Sequence, residues 1–438
     1  MAKILIISAS FDAGDAITMM NLFSRWNKRD LYLASPSQTP YMDYFSSFYY
    51  LGRKERKSLL LFRPWVRVPQ SCVLSKAEKQ SCENNVDGER KQSLLEFILF
   101  FVYKKTIFPI LQYTGWYNRR YNLKISNDFK HWVEVVMPDI IYSPVSNEAI
   151  MKFLIEFQNV FPSKKYVFHS FDDWFRPAYK ILFNRHYVQR LDNLFRVLIS
   201  KSDLLLSTTN MMSKDFEIRY GKKFSTFYNP VDVSNDVNVL NPFSDVNYHI
   251  VYIGKIAWHN ALAIQNMHDA IALYNEHYIK KIVLDIYTTT SKENLDYFKI
   301  KLDRNVILHH PIPNSEVVSL LRNADFLFLP ITISINVASF VKYSMSTKMG
   351  EYLFSGTPLI YCGPDGIAMT NFVKENQVAF YTTENGPQSL LHLLEQCVGE
   401  PSFASYMAGK GKDLARCLFD KNKISEEFYN LFVSLLTE

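Results

Sequence analysis

The chain has 438 residues, enough for two or three domains, and its 48% hydrophobic and 21% charged residues exclude global disorder. Its 14 glycines exclude a collagen-like repeat, and its five cysteines are too few and too irregularly spaced for a disulfide scaffold or a zinc ribbon. We therefore expect a globular protein of a reducing, cytoplasmic compartment.

The formal net charge of +6 is divided unevenly along the chain. Residues 1–230 hold 33 basic and 21 acidic residues, whereas residues 231–438 hold 16 and 22. The excess of +12 in the first part favours an anionic partner such as a lipid surface or an acidic substrate, although cations that only solvate a surface give the same count.

The N-terminal half predicts a doubly wound α/β domain. The run 3–8 is continuously apolar, as in a strand buried on both faces, and a loop containing Gly14 leads from it into a helix. Further strands are predicted at 139–143, 166–169 and 203–207. The first apolar run is too short for a signal peptide, and no stretch of about 18 apolar residues predicts a transmembrane helix.

Two segments of this half mix cations with large apolar side chains. Residues 53–67 place six cations around an apolar stretch that includes Trp65, and residues 94–120 mix aromatic residues with lysines and arginines. This composition favours an anionic lipid interface. The alternative is that the apolar residues belong to the core and the cations simply flank them. The polar stretch 71–91 between them is predicted to be a loop.

The remaining chain predicts a linker and then a second α/β domain. Residues 231–247 are rich in Asn, Ser and Val and contain Pro242, as in a linker. Alternating strands and helices beyond it predict a parallel sheet with helices on both faces. The predicted strands are 249–254, 282–287, 305–309, 325–330, 358–361 and 378–381. The predicted helices are 261–276, 292–302, 315–322, 347–355, 387–395, 402–419 and 425–435.

The segment 346–366 carries the strongest chemical signal. Ser346 predicts a helix N-cap, and Gly356 predicts the residue that ends that helix. The free amides of a helix start suit a diphosphate, Lys348 adds a cation in the first turn, and the Glu351 carboxylate can accept hydrogen bonds from a ribose diol. The alternative is an amphipathic helix in which Lys348 and Glu351 form an ordinary i, i+3 ion pair.

This segment resembles the donor-nucleotide motif of GT-B glycosyltransferases, specifically of the retaining, family-4-like group. Residues 228–232, 251–255 and 315–330 resemble the hinge, the opening strand of the donor domain and its later helix–strand unit, in the family's order. Residues 138–143 resemble a strand of the acceptor domain. The resemblance covers most of the C-terminal half closely and the N-terminal half loosely.

The resemblance implies an α/β fold of the GT-B type, with two Rossmann-like, doubly wound parallel-sheet domains facing a central cleft. An acceptor-binding domain is expected over 1–230, a linker over 231–247 and a nucleotide-sugar-binding domain over 248–419. A C-terminal helix at about 420–438 is expected to pack back on the first domain.

For the donor site, the resemblance implies that Glu351 binds the ribose. Lys348 and Lys255 are implied to hold the diphosphate beside the helix terminus. Two positions depart from the family pattern: Tyr343 replaces a glutamate eight positions before Glu351, and Asn260 stands in place of a second lysine. The full set of predicted donor-binding residues is Glu351, Lys348, Lys255, Ser346, Thr347, Gly14 and Asn260.

The predicted catalytic residues follow the strand at 166–169. The resemblance implies that His169 approaches the transferred sugar, while packing of His169 against Trp174 is the alternative. Asp172 and Asp173 are candidates to orient the acceptor hydroxyl or to act as a base, and helix capping or solvation of a loop is their alternative.

Other reaction classes are disfavoured. The chain has no Asp-x-Asp triplet, which GT-A enzymes need to hold a metal, so we expect no metal and no cofactor, with the nucleotide sugar as substrate. It also lacks a Walker A sequence, a G-x-G-x-x-G after the first strand and a G-x-S-x-G elbow. No RNA-binding motif is present, so no nucleic-acid partner is expected.

Together these features predict a hexosyltransferase that moves a sugar from a nucleotide-sugar donor to a glycan or lipid-linked glycan. We expect retention of configuration, a role in cell-surface polysaccharide biosynthesis and a cytoplasmic location, peripheral on the inner face of the cell membrane. Two alternatives remain open: a sugar-nucleotide epimerase of GT-B fold and a non-catalytic GT-B subunit of a glycan assembly complex. The sequence leaves the base, the sugar, the linkage and the acceptor undetermined.

Overall fold

In the computed structural model the chain divides into two units, each built around its own sheet. The first unit contains residues 1–227 and 425–438, and the second contains residues 228–424. The division falls before the segment 231–247 that the sequence pattern assigns to a linker. The residues that the structure describes are 2–11, 13–58, 68–74, 102–113, 121–173, 184–233 and 246–437.

The described strands of the first unit form an eight-stranded sheet and a two-stranded ribbon. The sheet order is β10-β9-β8-β7-β1-β2-β3-β5, with every neighbour parallel except β3 and β5, and β4 pairs antiparallel with β6. The strands are β1 Ile4–Ile7, β2 Leu31–Ser35, β3 Ser47–Tyr50, β4 Arg56–Ser58, β5 Cys72–Leu74, β6 Tyr121–Leu123, β7 Ile140–Pro144, β8 Lys165–Ser170, β9 Leu204–Ser207 and β10 Ser225–Thr226.

Helices follow most strands of this sheet, as parallel pairing requires. Phe428 and Phe432, on the C-terminal helix Lys421–Ser434, pack edge-to-face on Phe23 at ring distances of 5.2 and 5.9 Å. The other described α-helices are Ala13–Leu22, Phe108–Tyr113, Asn127–Val136, Glu148–Val160, Asn184–Ser200 and Asn210–Tyr220.

The second unit holds a six-stranded sheet whose neighbours all pair in parallel. Its order among the described strands is β13-β12-β11-β14-β15-β16. The strands are β11 Tyr248–Ile253, β12 Ile282–Tyr287, β13 Val306–His309, β14 Phe326–Pro330, β15 Leu359–Cys362 and β16 Phe380–Thr382. The helices are Ala261–His277, Lys292–Tyr297, Asn314–Asn323, Ile335–Phe340, Thr347–Ser355, Ala368–Asn376, Pro387–Gly399 and Pro401–Leu418.

The predicted α/β architecture of two parallel-sheet units is confirmed. Strands β2 and β3 have no counterpart among the predicted elements, because their sequences LYLAS and SFYY lack a continuous aliphatic run. The helix predicted over 292–302 ends at Tyr297, and Lys299 has a left-handed φ of 54°. In the described part of the chain, no helix is both long enough and apolar enough to cross a membrane.

The helix Thr347–Ser355, called the motif helix below, is held tightly within the second unit. Ser346 caps its start by accepting a hydrogen bond from the Lys348 amide, and Gly356 ends it with a left-handed φ of 75°, as predicted. A Cβ atom on Gly350 would lie 2.7 Å from Val231 Cγ2 and 3.0 Å from Phe419 Cγ. Close approach at Gly350 therefore sets the position of this helix.

Val231 is part of this packing and does not belong to a free linker. Its amide donates to the Phe419 carbonyl at 2.7 Å, and its carbonyl accepts from the Lys421 amide at 2.9 Å. The first residues of the predicted linker 231–247 are thus fixed within the second unit, while residues 234–245 lie outside the described part of the chain.

We predict that Gly350→Ala destabilises the second unit by about 1–3 kcal/mol, because the added methyl group overlaps Val231 and Phe419. Helix propensity alone favours alanine over glycine by about 1 kcal/mol. The matched control is Gly409→Ala in the helix Pro401–Leu418, where an added Cβ meets no atom within 4 Å and a gain in stability is expected. Chemical denaturation of both variants tests this, and a stabilising Gly350→Ala would contradict it.

Candidate functional site

The Lys348 side chain lies against the backbone at the carboxyl end of β11. A Cβ atom on Gly254 would overlap Lys348 Cε and would lie 2.7 Å from Lys348 Nζ. Gly254 also has a φ of +150°, which side chains rarely allow. Glycine at this position leaves room for the Lys348 ammonium group, and the motif helix and β11 together build a cationic site at the edge of the sheet.

The charges around this site are partly desolvated. Burial lowers the pKa of Lys348, while the charge of Glu351 opposes that shift. Glu351 is exposed on the motif helix, yet desolvation by the surrounding protein raises the pKa of Glu351, against the effect of Lys348. Lys348 and Glu351 influence each other's pKa through their charges, and no hydrogen bond between these two side chains contributes to either shift.

Tyr352 joins the motif helix to the end of β11. Its hydroxyl accepts a hydrogen bond from the Ile253 amide at 2.9 Å and contacts the Ile253 carbonyl at 3.4 Å. Tyr352 is buried, and this burial raises the pKa of its phenol. The adjacent Glu351 and Tyr352 therefore have opposite roles: the carboxylate faces outward, and the phenol fixes the helix to the strand.

Asn260 shapes the loop after β11 through hydrogen bonds within the protein. Its amide nitrogen donates to the Tyr252 hydroxyl at 3.0 Å and to the Lys255 carbonyl at 3.1 Å, and its oxygen accepts from the Ala257 amide at 2.8 Å. An amide nitrogen has two hydrogens to donate, and both are used here. Donor binding by Asn260 stays a prediction, and the Lys255 side chain is exposed on the same loop.

The other predicted donor-site residues lie around the start of the motif helix. Ser346 is the N-cap, and Thr347 is exposed in the first turn. Asn229 donates to the Met345 carbonyl at 3.3 Å and so supports this start. Tyr343, at the position where the resemblance expects a glutamate, is buried, and its hydroxyl accepts from Lys342 Nζ at 2.9 Å.

In the first unit, His169 is completely buried near the end of β8. Its Nδ1 lies 2.9 Å from the Tyr142 hydroxyl, and its ring packs on Phe171 with centroids 4.4 Å apart. Nε2 has no hydrogen-bond partner among the described side chains and backbone groups. Burial lowers the pKa of His169 to about 3, and a backbone contact with Ser207 only partly opposes this. The imidazole is therefore neutral at physiological pH.

Asp173 is tied to Arg219, which argues against its predicted role as a base. The guanidinium approaches both carboxylate oxygens, at 3.0 and 3.4 Å, and Asp173 is buried. Burial lowers the pKa of Arg219, but the contacts with Asp173 and Tyr220 outweigh it and raise the pKa. Asp172 is exposed on the same turn. This pairing gives Asp173 a structural role, as a buried ion-pair partner, that differs from the helix capping or loop solvation weighed as its alternative.

Gly14 lies within the helix Ala13–Leu22 and not in the loop before it, so the loop prediction for Gly14 is wrong. The alternative for His169 is packing against Trp174, which lies outside the described residues. The rings of Phe171 and Tyr142 pack against His169 in the described part of the chain. No local pattern predicts the contact of Tyr142 with His169 or that of Gly254 with Lys348, because each joins residues that are far apart in the chain.

We predict that the free energy of unfolding falls as the pH drops below 6.5. His169 has a folded-state pKa of about 3, so the unfolded chain binds a proton over this range that the native state excludes. The contribution of His169 is at most about 1.4 kcal/mol per pH unit. Chemical denaturation between pH 5 and 7.5 measures the slope.

The variant His169→Asn should show a shallower slope than wild type. His131→Asn, at an exposed helical position of the same unit, serves as the control and should keep the wild-type slope. Equal slopes for wild type and His169→Asn would contradict the buried, neutral imidazole.

Comparisons with known proteins give matches at the level of structure. No family model matches the chain, and no curated protein matches it. HepE from Anabaena, solved with UDP-glucose, is 13% identical with a TM-score of 0.57, over 99% of this chain and 100% of that one. A glycosyltransferase from Rickettsia africae is 11% identical with a TM-score of 0.59, over 99% and 98%.

A third similar structure is sucrose-phosphate synthase from Thermosynechococcus elongatus. It is 9% identical with a TM-score of 0.58, and 99% of each chain is covered. Because these sequence identities are low, the similarity is one of fold. It extends over both units, since each comparison covers 99% of this chain. The chain therefore has the GT-B fold that the motif segment predicted.

Proposed function

We propose that this protein is a glycosyltransferase that moves a sugar from a nucleotide-sugar donor to a glycan or lipid-linked glycan. The observation that carries the proposal is the placement of Lys348 on Gly254 at the carboxyl end of β11, with Glu351 one turn further along the same helix. Ligands of open parallel sheets bind at these strand ends. A cation and a carboxylate at this spacing suit a diphosphate joined to a ribose.

Each group has a distinct task in this proposal. Glu351 accepts hydrogen bonds from the ribose hydroxyls. Lys348 and Lys255 neutralise the diphosphate, and the free amides of the motif helix add their positive partial charge. The same groups stabilise the charge that develops on the leaving nucleoside diphosphate, so we propose a reaction that needs no metal for this task. Retention of configuration is proposed from the resemblance of the segment 346–366 to the retaining, family-4-like group.

The nucleotide is proposed from a similar structure. HepE from Anabaena has been solved with UDP and with UDP-glucose. UDP is therefore the first candidate for this chain, and a UDP-hexose is the first candidate donor.

We predict that UDP raises the melting temperature of the wild type and not of Glu351→Ala. A ligand at 100 times its dissociation constant stabilises the native state by about 2.7 kcal/mol, and loss of the ribose contact reduces that binding. A thermal-shift panel of UDP, GDP, ADP, TDP and CMP without metal measures the effect. EDTA should leave the shift unchanged.

Glu375→Ala, an exposed glutamate on the helix Ala368–Asn376 of the same unit, is the matched control and should respond like the wild type. Equal shifts in wild type and Glu351→Ala, or a shift that requires Mn²⁺, would contradict the proposed site. Donor turnover that releases an isomerised or free sugar without an acceptor would indicate an epimerase instead.

We further propose that the first unit binds an anionic or lipid-linked acceptor at the inner face of the cell membrane, in cell-surface polysaccharide synthesis. The +12 charge of residues 1–230 supports this. So do Val102, Ile107 and Ile110, which expose 48%, 44% and 61% of their surface beside the exposed Lys105. The other parts of the cationic segments, 59–67, 94–101 and 114–120, lie outside the described residues.

We predict that the protein floats with anionic liposomes at low salt and that Ile110→Asp reduces this binding. A carboxylate at the interface is repelled by anionic lipid and removes apolar contact area. The control Ile218→Asp changes an isoleucine that is 84% exposed on the helix Asn210–Tyr220, and it should float like the wild type. Wild-type protein that stays at the bottom of the gradient would contradict the membrane proposal.

A further inference from the structure

An aromatic surface lies beside the cationic site of the second unit. Trp258, on the loop after β11, and Phe340, at the end of the helix Ile335–Phe340, place their ring centroids 5.0 Å apart. Trp258 is 40% exposed and Phe340 is 39% exposed, so both residues are partly accessible to solvent. The Trp258–Phe340 platform, as we call this pair, is thus partly assembled and partly uncovered.

Polar groups border the Trp258–Phe340 platform. The His259 ring lies 6.2 Å from that of Phe340, and the His259 carbonyl accepts from the Thr332 amide at 2.8 Å. Thr332 is buried, and its hydroxyl has no hydrogen-bond partner among the described residues. Buried hydroxyls are usually satisfied by protein, water or ligand, so this one indicates a missing polar partner near the platform.

The Trp258–Phe340 platform is within electrostatic reach of the proposed diphosphate site. Burial lowers the pKa of His259, and the positive charge of Lys348 lowers it further. The imidazole is therefore neutral and can both donate and accept a hydrogen bond. The loop that carries Trp258 and His259 also carries Lys255 and is fixed by the buried Asn260 clamp.

We propose that the Trp258–Phe340 platform, with His259 at its edge, binds the transferred sugar of the nucleotide-sugar donor. This inference rests on the proposed function, because it assigns the sugar end of the same ligand. A pyranose has an apolar C–H face that packs on aromatic rings and a rim of hydroxyl groups that need polar partners. Sites for such ligands combine apolar aromatic walls with a few placed polar groups.

The order of groups along the ligand favours the sugar over the other parts of the donor. In a nucleotide sugar the diphosphate lies between the ribose and the sugar. Glu351 is proposed to hold the ribose and Lys348 the diphosphate, so the sugar comes next, beyond Lys348. Lys348 lies against Gly254, and Trp258 follows Gly254 by four residues on the same loop after β11, so the Trp258–Phe340 platform is next to the proposed diphosphate site.

The experiment compares Trp258→Ala and Phe340→Ala with the wild type by calorimetric titration. The probes are UDP, UDP-glucose, UDP-galactose and UDP-N-acetylglucosamine. Both variants should bind UDP within about twofold of the wild type, whereas the wild-type preference for the best UDP-hexose over UDP should fall by about tenfold. Trp258→Phe, which keeps a ring, should retain most of that preference.

Tyr406→Ala removes an aromatic residue that is 65% exposed on the helix Pro401–Leu418, and it should behave as the wild type. Failure of the wild type to bind any nucleotide of the thermal-shift panel would overturn the proposed function together with this inference. If another nucleotide of that panel binds in place of UDP, the same comparison is made with that nucleotide and its hexose conjugates. Normal UDP binding with an unchanged preference in both platform variants would overturn this inference alone. Equal loss of UDP and UDP-hexose affinity would also overturn it, because the rings would then serve the nucleotide.

Discussion

The placement of Lys348 against Gly254 is the constraint on which the candidate donor site depends. A lysine in the first turn of a helix is opposed by the helix dipole, and its partial burial opposes the charge as well. Both costs fall when an anion binds beside the ammonium group. A cation held in this way therefore favours the binding of a phosphate-containing ligand. It is a poor means of stabilising the fold by itself.

The surrounding packing holds the lysine in place. Gly350 brings the motif helix close to Val231 and Phe419, and Tyr352 bonds it to the last residue of β11. Asn260 then fixes the loop that follows the same strand. These contacts all lie within one unit, so the proposed site for the donor is organised by the fold of that unit itself.

The first unit has a different electrostatic character. Its buried histidine is neutral, and its buried Asp173 is paired with Arg219. Neither group is arranged as an exposed acid or base in this structure. The role of His169 beside the transferred sugar stays a prediction, and His169 Nε2 has no hydrogen-bond partner among the residues that the structure describes.

Local signals in the sequence predicted the motif helix and the sheet of the second unit, whereas in the first unit they predicted only β1, β7, β8 and β9 among the described strands. The caps Ser346 and Gly356 could be recognised because capping depends on a few adjacent residues, and apolar runs such as that of β12 mark buried parallel strands. The contact of Lys348 with Gly254 spans many intervening residues, so no local pattern contains it. Local patterns are equally insufficient for Asn260 and His169. Their roles depend on burial and on partners that only the folded chain brings together.

A crystal structure of the protein with bound UDP tests the central claim most directly. The account predicts ribose hydroxyls on the Glu351 carboxylate and the diphosphate beside Lys348 Nζ, over Gly254. A nucleotide bound away from the motif helix, or a ribose that leaves Glu351 without contact, would contradict it.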